Sequence, residues 1–278
     1  MVEIAEVERA YPDKPIGGGS AATAPHMALA THDLRRSFYG VPVLQGVTLE
    51  VARGSITGLI GPNGAGKSTF FNIVSGLIRP NGGRCMLYGK DVTGRTPDQL
   101  VGDGLVRTFQ LARGFPKMSV FQHLALYAQN QPGERLLAGL FGTRAARDRE
   151  QETAERAWSV ARRLRLDHVI DNPVTSLSGG QKKLVEIGRA LMASPTVILL
   201  DEPMAGVNPT LGSQIADHLL SLHAEGMTVC LIEHDMSLVR RLCDPVIVLA
   251  EGRTLTSGSF EEVVADPRVQ DAYLGTRH

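Results

Sequence analysis

Residues Gly61-Pro62-Asn63-Gly64-Ala65-Gly66-Lys67-Ser68 fit the pattern G-x-x-x-x-G-K-[ST]. A strand-like apolar segment precedes them and a helical one follows, the context in which this pattern binds phosphate. Glycines let backbone amides close around phosphate oxygens, and a helix N-terminus adds the positive end of its dipole. Lys67 is placed to reach the β- and γ-phosphates of a nucleoside triphosphate, and Ser68 to bind Mg2+ through its hydroxyl, with Thr69 beside it. A glycine-rich turn with a chance lysine is the plain alternative. The flanking strand and helix argue against it.

Two more stretches carry chemistry. Val197-Ile198-Leu199-Leu200-Asp201-Glu202 reads as a buried strand ending in two carboxylates. Asp201 suits the Mg2+ shell, and Glu202, pointing elsewhere, can polarise an attacking water. Alone they would read as solvated strand-end acids. Ahead of them lies Leu177-Ser178-Gly179-Gly180-Gln181. Ser178 can cap a helix whose first turn holds exposed amides, and the two glycines leave room for a phosphate to come close. Alone this would read as an ordinary capped helix start.

The elements that must position these residues alternate between strand and helix. Val47 to Val51, Ser55 to Ile60, Gly83 to Tyr88, Val197 to Leu200, Val229 to Glu233 and Val246 to Leu249 read as strands. Lys67 to Leu77, Gly180 to Ala193 and Pro209 to Glu225 read as helices, as does Asp148 to Leu166 with an apolar stripe through Ala154, Trp158, Ala161 and Leu164. The pattern predicts a largely parallel sheet covered by helices. Residues 115 to 177 carry no strong strand and read as a helical lobe inserted into that core. Residues 1–26 are rich in proline, glycine and alanine and read as a flexible extension, native or added. Glu261 to Leu274 reads as a short helix capping the sheet.

Composition narrows the function. The chain has 278 residues, with 29 Lys plus Arg against 29 Asp plus Glu. Zero net charge gives no footprint for nucleic acid, so no nucleic-acid partner is expected. Cys85, Cys230 and Cys243 are far apart and show no metal or disulfide spacing, which suits a reducing compartment. No run approaches the ~18 apolar residues of a membrane span, and the N-terminus lacks a signal pattern. A cytoplasmic chain is expected, and any membrane part must come from another subunit.

With the phosphate loop before it and Asp201-Glu202 after it, Leu177 to Gln181 resembles the signature motif of ABC-type ATPases. That resemblance spans nearly all of residues 28–278. It implies an α/β P-loop NTPase (RecA-like) core, an antiparallel β subdomain and an inserted helical subdomain. It also implies ATP and Mg2+ as ligands and a head-to-tail dimer, identical or paralogous. In such a dimer each ATP lies between Lys67 of one subunit and Ser178 and Gly180 of its partner. Gln110, in Arg107-Thr108-Phe109-Gln110, resembles the glutamine that touches Mg2+ and the water. A lone strand-end histidine is more often structural, but His234, in Leu231-Ile232-Glu233-His234-Asp235, follows the strand Val229 to Ile232 and resembles the histidine that contacts the γ-phosphate. Phe38 or Tyr39 should stack on adenine, and spacing and adjacency to Gly40 favour different members of the pair. Asn208 stands where many relatives carry aspartate, which puts that position's cross-subunit role in doubt.

Within the family, four stretches are similar to the ATP-binding subunits of bacterial branched-chain amino acid importers. They are Val106 to Gln110, Gly139 to Thr143, Ala205 to Pro209 and Val269 to Gly275. The resemblance implies transmembrane permease subunits, a solute-binding protein that selects the solute, and a peripheral place on the cytoplasmic face of a bacterial membrane. Urea or short-amide importers are the nearest alternative. A related lipopolysaccharide exporter ATPase is disfavoured by the Gly139 insertion. A DNA- or ribosome-directed ABC ATPase would usually bring a second cassette, a coiled coil or basic surfaces. A silent regulatory module conflicts with an intact Lys67, Asp201, Glu202 and His234.

Overall fold

The computed structural model describes residues 27–108, 115–129 and 144–274. In chain order, β1 (Met27–Phe38), β2 (Val41–Ala52) and β3 (Ile56–Ile60) precede helix α1 (Lys67–Val74). Strands β4 (Gly82–Leu87) and β5 (Lys90–Asp91), helix α2 (Pro97–Gly102) and strand β6 (Leu105–Arg107) follow. The lobe contains α3 (Val120–Ala125) and α4 (Arg144–Arg163) and leads into α5 (Gly179–Met192). Then come β7 (Val197–Asp201), α6 (Pro209–Ala224), β8 (Thr228–Ile232), α7 (Met236–Leu242), β9 (Val246–Ala250) and β10 (Arg253–Gly258). Two short helices, α8 (Phe260–Ala265) and α9 (Pro267–Leu274), close the described chain.

Two sheets result. The larger runs β10-β9-β3-β8-β7-β6, parallel except for β10. The smaller runs β2-β1-β4-β5 and is antiparallel. Every residue of β3, β8 and β9 is buried, as expected of strands covered on both faces. One core packs α5, α6, α7 and the lobe on one face of the parallel sheet. A second packs α1 and the antiparallel sheet on the other. The three cysteines are buried, and burial pushes each thiol up to about 12, so they act as small apolar side chains.

Three details depart from the sequence-based expectations. Strand β1 breaks its alternation at a bulge between Thr31 and Leu34, where Asp33 takes φ 49°, so no clean two-residue period reveals it. On α4 the buried stripe runs through Ala157, Val160 and Ala161 into Leu164, while Trp158 is 37% exposed. One residue along a helix is a rotation of about 100°, enough to carry the indole out of the core. The expected single C-terminal helix is two, because Asp266 is extended before Pro267, whose ring bars the preceding residue from helical geometry.

The turn between β9 and β10 binds the two sheets to the phosphate loop. The Gly252 amide donates to Ala65 O at 3.1 Å, and Gly252 O accepts from Gln45 N at 2.8 Å. Gly252 has φ 72°, and a Cβ there would lie 2.2 Å from Val43 O. Gly252→Ala is therefore expected to destabilise the fold by about 1–3 kcal/mol, read as a lower calorimetric melting temperature. An unchanged melting temperature would show that the turn relaxes freely.

Candidate nucleotide site

The reactive residues leave the parallel sheet at one level. Leu59 of β3 and Asp201 of β7 both lie opposite Ile232 of β8. The loop after β3, the Asp201-Glu202 pair and the Glu233-His234 pair thus emerge side by side from the carboxyl ends of three adjacent strands. Such edges are where open α/β sheets bind ligands.

The phosphate loop is closed on the sheet so tightly that side chains are excluded. Gly61 has φ 148°, and a Cβ there would sit 2.0 Å from Leu249 O. Gly66, at φ 99°, would bring one 2.6 Å from Leu44 Cδ2. Pro62 is half-buried, Asn63 and Gly64 are exposed, and Ala65 is buried among the residues of the second core. Gly66 begins α1 without any side-chain cap. Helices α5, α6 and α7 are instead capped from within, by Ser178, Asn208 and Asp235. An uncapped N-terminus keeps its amides for an anion.

Lys67 is 7% exposed, and its Nζ donates to Gly61 O at 2.6 Å and Pro62 O at 3.0 Å. Burial lowers its pKa, and the carboxylates of Glu202 and Asp201 push the other way. Ser68 is exposed at the head of α1, and Thr69 is half-buried beside it. Asp201 is a quarter exposed. No group of three or more His, Cys, Asp or Glu able to hold a metal occurs among the described residues. The hydroxyl of Ser68 and the carboxylate of Asp201 are hard oxygen donors. Together they suit Mg2+, which binds through one or two protein oxygens plus substrate phosphates and water.

Glu202 takes φ 47°, a left-handed conformation rare outside glycine. Its amide still donates to Ile232 O at 3.0 Å, so the chain turns sharply where the ladder ends. Glu202 Oε1 then lies 3.0 Å from His234 Nε2, with both side chains nearly half exposed. They border a cleft of about 540 Å³ that Asn208, Glu233 and Ser237 also line. Glu233 is buried, and its carboxylate accepts from the amides of Met204 at 3.0 Å and His234 at 3.1 Å. Burial raises its pKa, opposed by those amide bonds. This carboxylate orders the loop after Glu202 and the backbone of His234 together.

Ser178 caps α5 as expected, through a reciprocal pair with Gln181. Ser178 Oγ accepts from Gln181 N at 3.3 Å, and Gln181 Oε1 accepts from Ser178 N at 3.0 Å. The two glycines separate in role. Gly179 faces open space, whereas a Cβ on Gly180 would lie 1.9 Å from Leu211 Cδ2 of α6. Helix packing at this point by itself requires a residue without a side chain at Gly180. Asn208 caps α6 through Oδ1, accepting from Leu211 N at 2.9 Å.

The remaining expected residues fall in different surroundings. Phe38 is half-buried with the Arg36 guanidinium 4.6 Å over its ring, while Tyr39 is fully exposed on the turn into β2. Gln110 lies outside the described residues, as do 1–26, Gly139 to Thr143 and Gly275. Two further residues escaped the motif reading. Arg107 forms an ion pair with Asp201 at 2.7 Å. Tyr273 of α9 hydrogen-bonds to the backbone of Gly61, and burial raises its pKa. Both contacts join residues distant in sequence, so no local pattern announces them.

An uncapped helix start above a loop closed to side chains is the phosphate-binding device of P-loop nucleotide hydrolases, and here it stands on their parallel α/β sheet. Residues 44–205 match the family model described as ABC transporter, and 253–278 match one described as Branched-chain amino acid ATP-binding cassette transporter. The chain belongs to the ABC transporter family of ATPases, in the branch of proteins named LivG. The protein named Probable branched-chain amino acid transport ATP-binding protein LivG, of Methanocaldococcus jannaschii, is 39% identical, with 89% of this chain and 97% of the relative covered. The protein named High-affinity branched-chain amino acid transport ATP-binding protein BraF, of Pseudomonas aeruginosa, is 36% identical, with 89% and 97% covered. A crystal structure of the ADP conformation of an ATP-binding cassette of an ABC transporter superposes with TM-score 0.79 at 38% identity, covering 90% of this chain and 99% of that one. The chain is thus an ATP-hydrolysing subunit of a transporter. Among the described residues no helix is long and apolar enough to cross a membrane.

The difference between the two signature glycines is measurable without nucleotide. Gly180→Ala should lower stability by about 1–3 kcal/mol through overpacking against Leu211, whereas Gly179→Ala should leave the denaturation midpoint within about 0.5 kcal/mol of the parent. Equal midpoints for the two variants would contradict the packing role of Gly180.

Proposed function

We propose that this subunit drives import of branched-chain amino acids as one of a head-to-tail pair of ATPase subunits under a membrane permease. The observation that carries the solute class is the match of residues 253–278 to the branched-chain cassette model, together with the names of relatives that span nearly all of the chain. The permease, the solute-binding protein and the place on the cytoplasmic face of the membrane come with that reading. The lobe exposes the large side chains of Phe115, Leu126 and Tyr127, which can contact a partner subunit.

In the catalytic cycle Lys67 leaves its loop carbonyls for the β- and γ-phosphates, and the open amides of α1 take the remaining phosphate oxygens. Ser68, Asp201 and Gln110 would hold Mg2+, which would supply neutralisation of phosphate charge when bound. Glu202 orients and polarises the attacking water, and His234, bonded to it, reaches the γ-phosphate. Phe38 or Tyr39 covers adenine. Support for a shared site comes from Ser178 and Gly179, which are exposed at the uncovered start of α5, where a phosphate held by a partner subunit can approach.

Three measurements test this. Glu202→Gln should lower ATP turnover by roughly 100-fold or more while ATP binding persists and a closed dimer accumulates. Full activity in that variant would remove Glu202 from its role. Ser178→Arg subunits mixed with the parent should depress the activity of sites whose phosphate loops are intact. An activity that simply follows the fraction of parent chain would count against sharing. In proteoliposomes with the permease and binding protein, ATP should drive leucine, isoleucine and valine uptake that urea does not compete. Uptake displaced by urea or acetamide would reassign the solute.

A further inference from the structure

Arg107 ends β6, immediately before the segment that carries Gln110. Its side chain is only 9% exposed. Nη2 donates to Asp201 Oδ2 at 2.7 Å, and Nη1 donates to Asn72 Oδ1 at 2.6 Å. A longer contact of 3.4 Å runs from Nη1 to Ser75 Oγ. The guanidinium carbon lies 5.7 Å over the Phe71 ring, so one face rests on α1 as well. The residue after it is also fixed, because Thr108 N donates to Leu199 O at 3.0 Å.

The partners of this one side chain are informative. Among the described residues the protein oxygens suited to Mg2+ come from two elements, Ser68 on α1 and Asp201 at the end of β7. Asn72 lies one helical turn after Ser68, on the same face of α1. A rigid planar fork therefore spans the helix face that carries Ser68 and the carboxylate of Asp201. A guanidinium holds two partners at fixed separation, which a flexible ammonium does not. One oxygen of Asp201 is engaged by Arg107, and a carboxylate has a second to offer a cation.

We infer that Arg107 is a positioning residue for a divalent cation: its fork sets the spacing and orientation of Ser68 and Asp201 before nucleotide arrives. It acts through those two residues and does not touch the cation. The inference rests on the nucleotide-site reading above.

The test is a Mn2+ titration of the ADP-loaded full-length chain, followed by electron paramagnetic resonance, for the parent and for Arg107→Lys. The lysine keeps the charge and loses the fork. Outer-sphere partners of metal ligands are typically worth about 10- to 100-fold in metal affinity. Arg107→Lys should therefore weaken Mn2+ by about tenfold, while ADP affinity in the presence of a chelator stays within about twofold of the parent. Asn72→Ala should shift metal affinity in the same direction by a smaller factor, since it frees only one end of the fork. Unchanged or tighter Mn2+ binding in Arg107→Lys overturns the inference. So does an equal loss of metal-free ADP affinity, which would mark a general structural role. Asp201→Asn separates the two levels: if it leaves Mn2+ affinity untouched, the metal-site reading itself fails, whatever Arg107 does.

Discussion

The parallel ladder through β3, β8 and β7 is the constraint on which the rest of this molecule depends. Its register sets Leu59 and Asp201 both against Ile232. Strand ends that share a level deliver their following residues to one small region of space. A one-residue slip in any of these strands would turn its side chains to the opposite face. It would separate Lys67 from Asp201 and Glu202 from His234. The strands resist that slip because they are buried on both sides, between two apolar cores.

Around that edge the fold places charge where burial makes it costly. Lys67 is nearly enclosed, and Glu233 is held under the loop that carries Glu202. Each has a compensating partner: loop carbonyls and two nearby carboxylates for the lysine, backbone amides for the acid. Buried ions are tolerated only on such terms. The arrangement leaves the lysine weakly committed, since carbonyl bonds can be exchanged for phosphate oxygens that carry full charge. The fixed parts of the site, Gly61, Gly66 and the Gly252 turn, are those where no side chain fits.

Legibility from sequence followed the range of the interactions. Gly61 to Ser68, Asp201-Glu202 and Ser178 to Gln181 are local devices whose geometry is written in consecutive residues, and each was readable as such. The core strands were readable because continuous burial demands continuous apolar residues. Strand β1 was not, because the bulge at Asp33 breaks its period. Trp158 misled because its side chain is large and apolar, yet it sits one residue off the buried stripe of α4. The end of α8 at Pro267 was available in principle from the ring's steric demand on Asp266.

The sequence by itself determined that this chain holds a phosphate loop, a strand-end acid pair and a capped signature helix, in an order and spacing similar to an ABC ATPase. Those features are written in neighbours a few residues apart, so they can be read without knowing the fold. Only the tertiary structure decided how they meet. It set Glu202 within hydrogen-bond reach of His234, gave Gly180 to helix packing and left Gly179 open, and put Arg107 between Asn72 and Asp201. Each of those facts joins residues from separate elements. Their distances are set by strand register and core packing, quantities that belong to the whole domain and to no single stretch of chain.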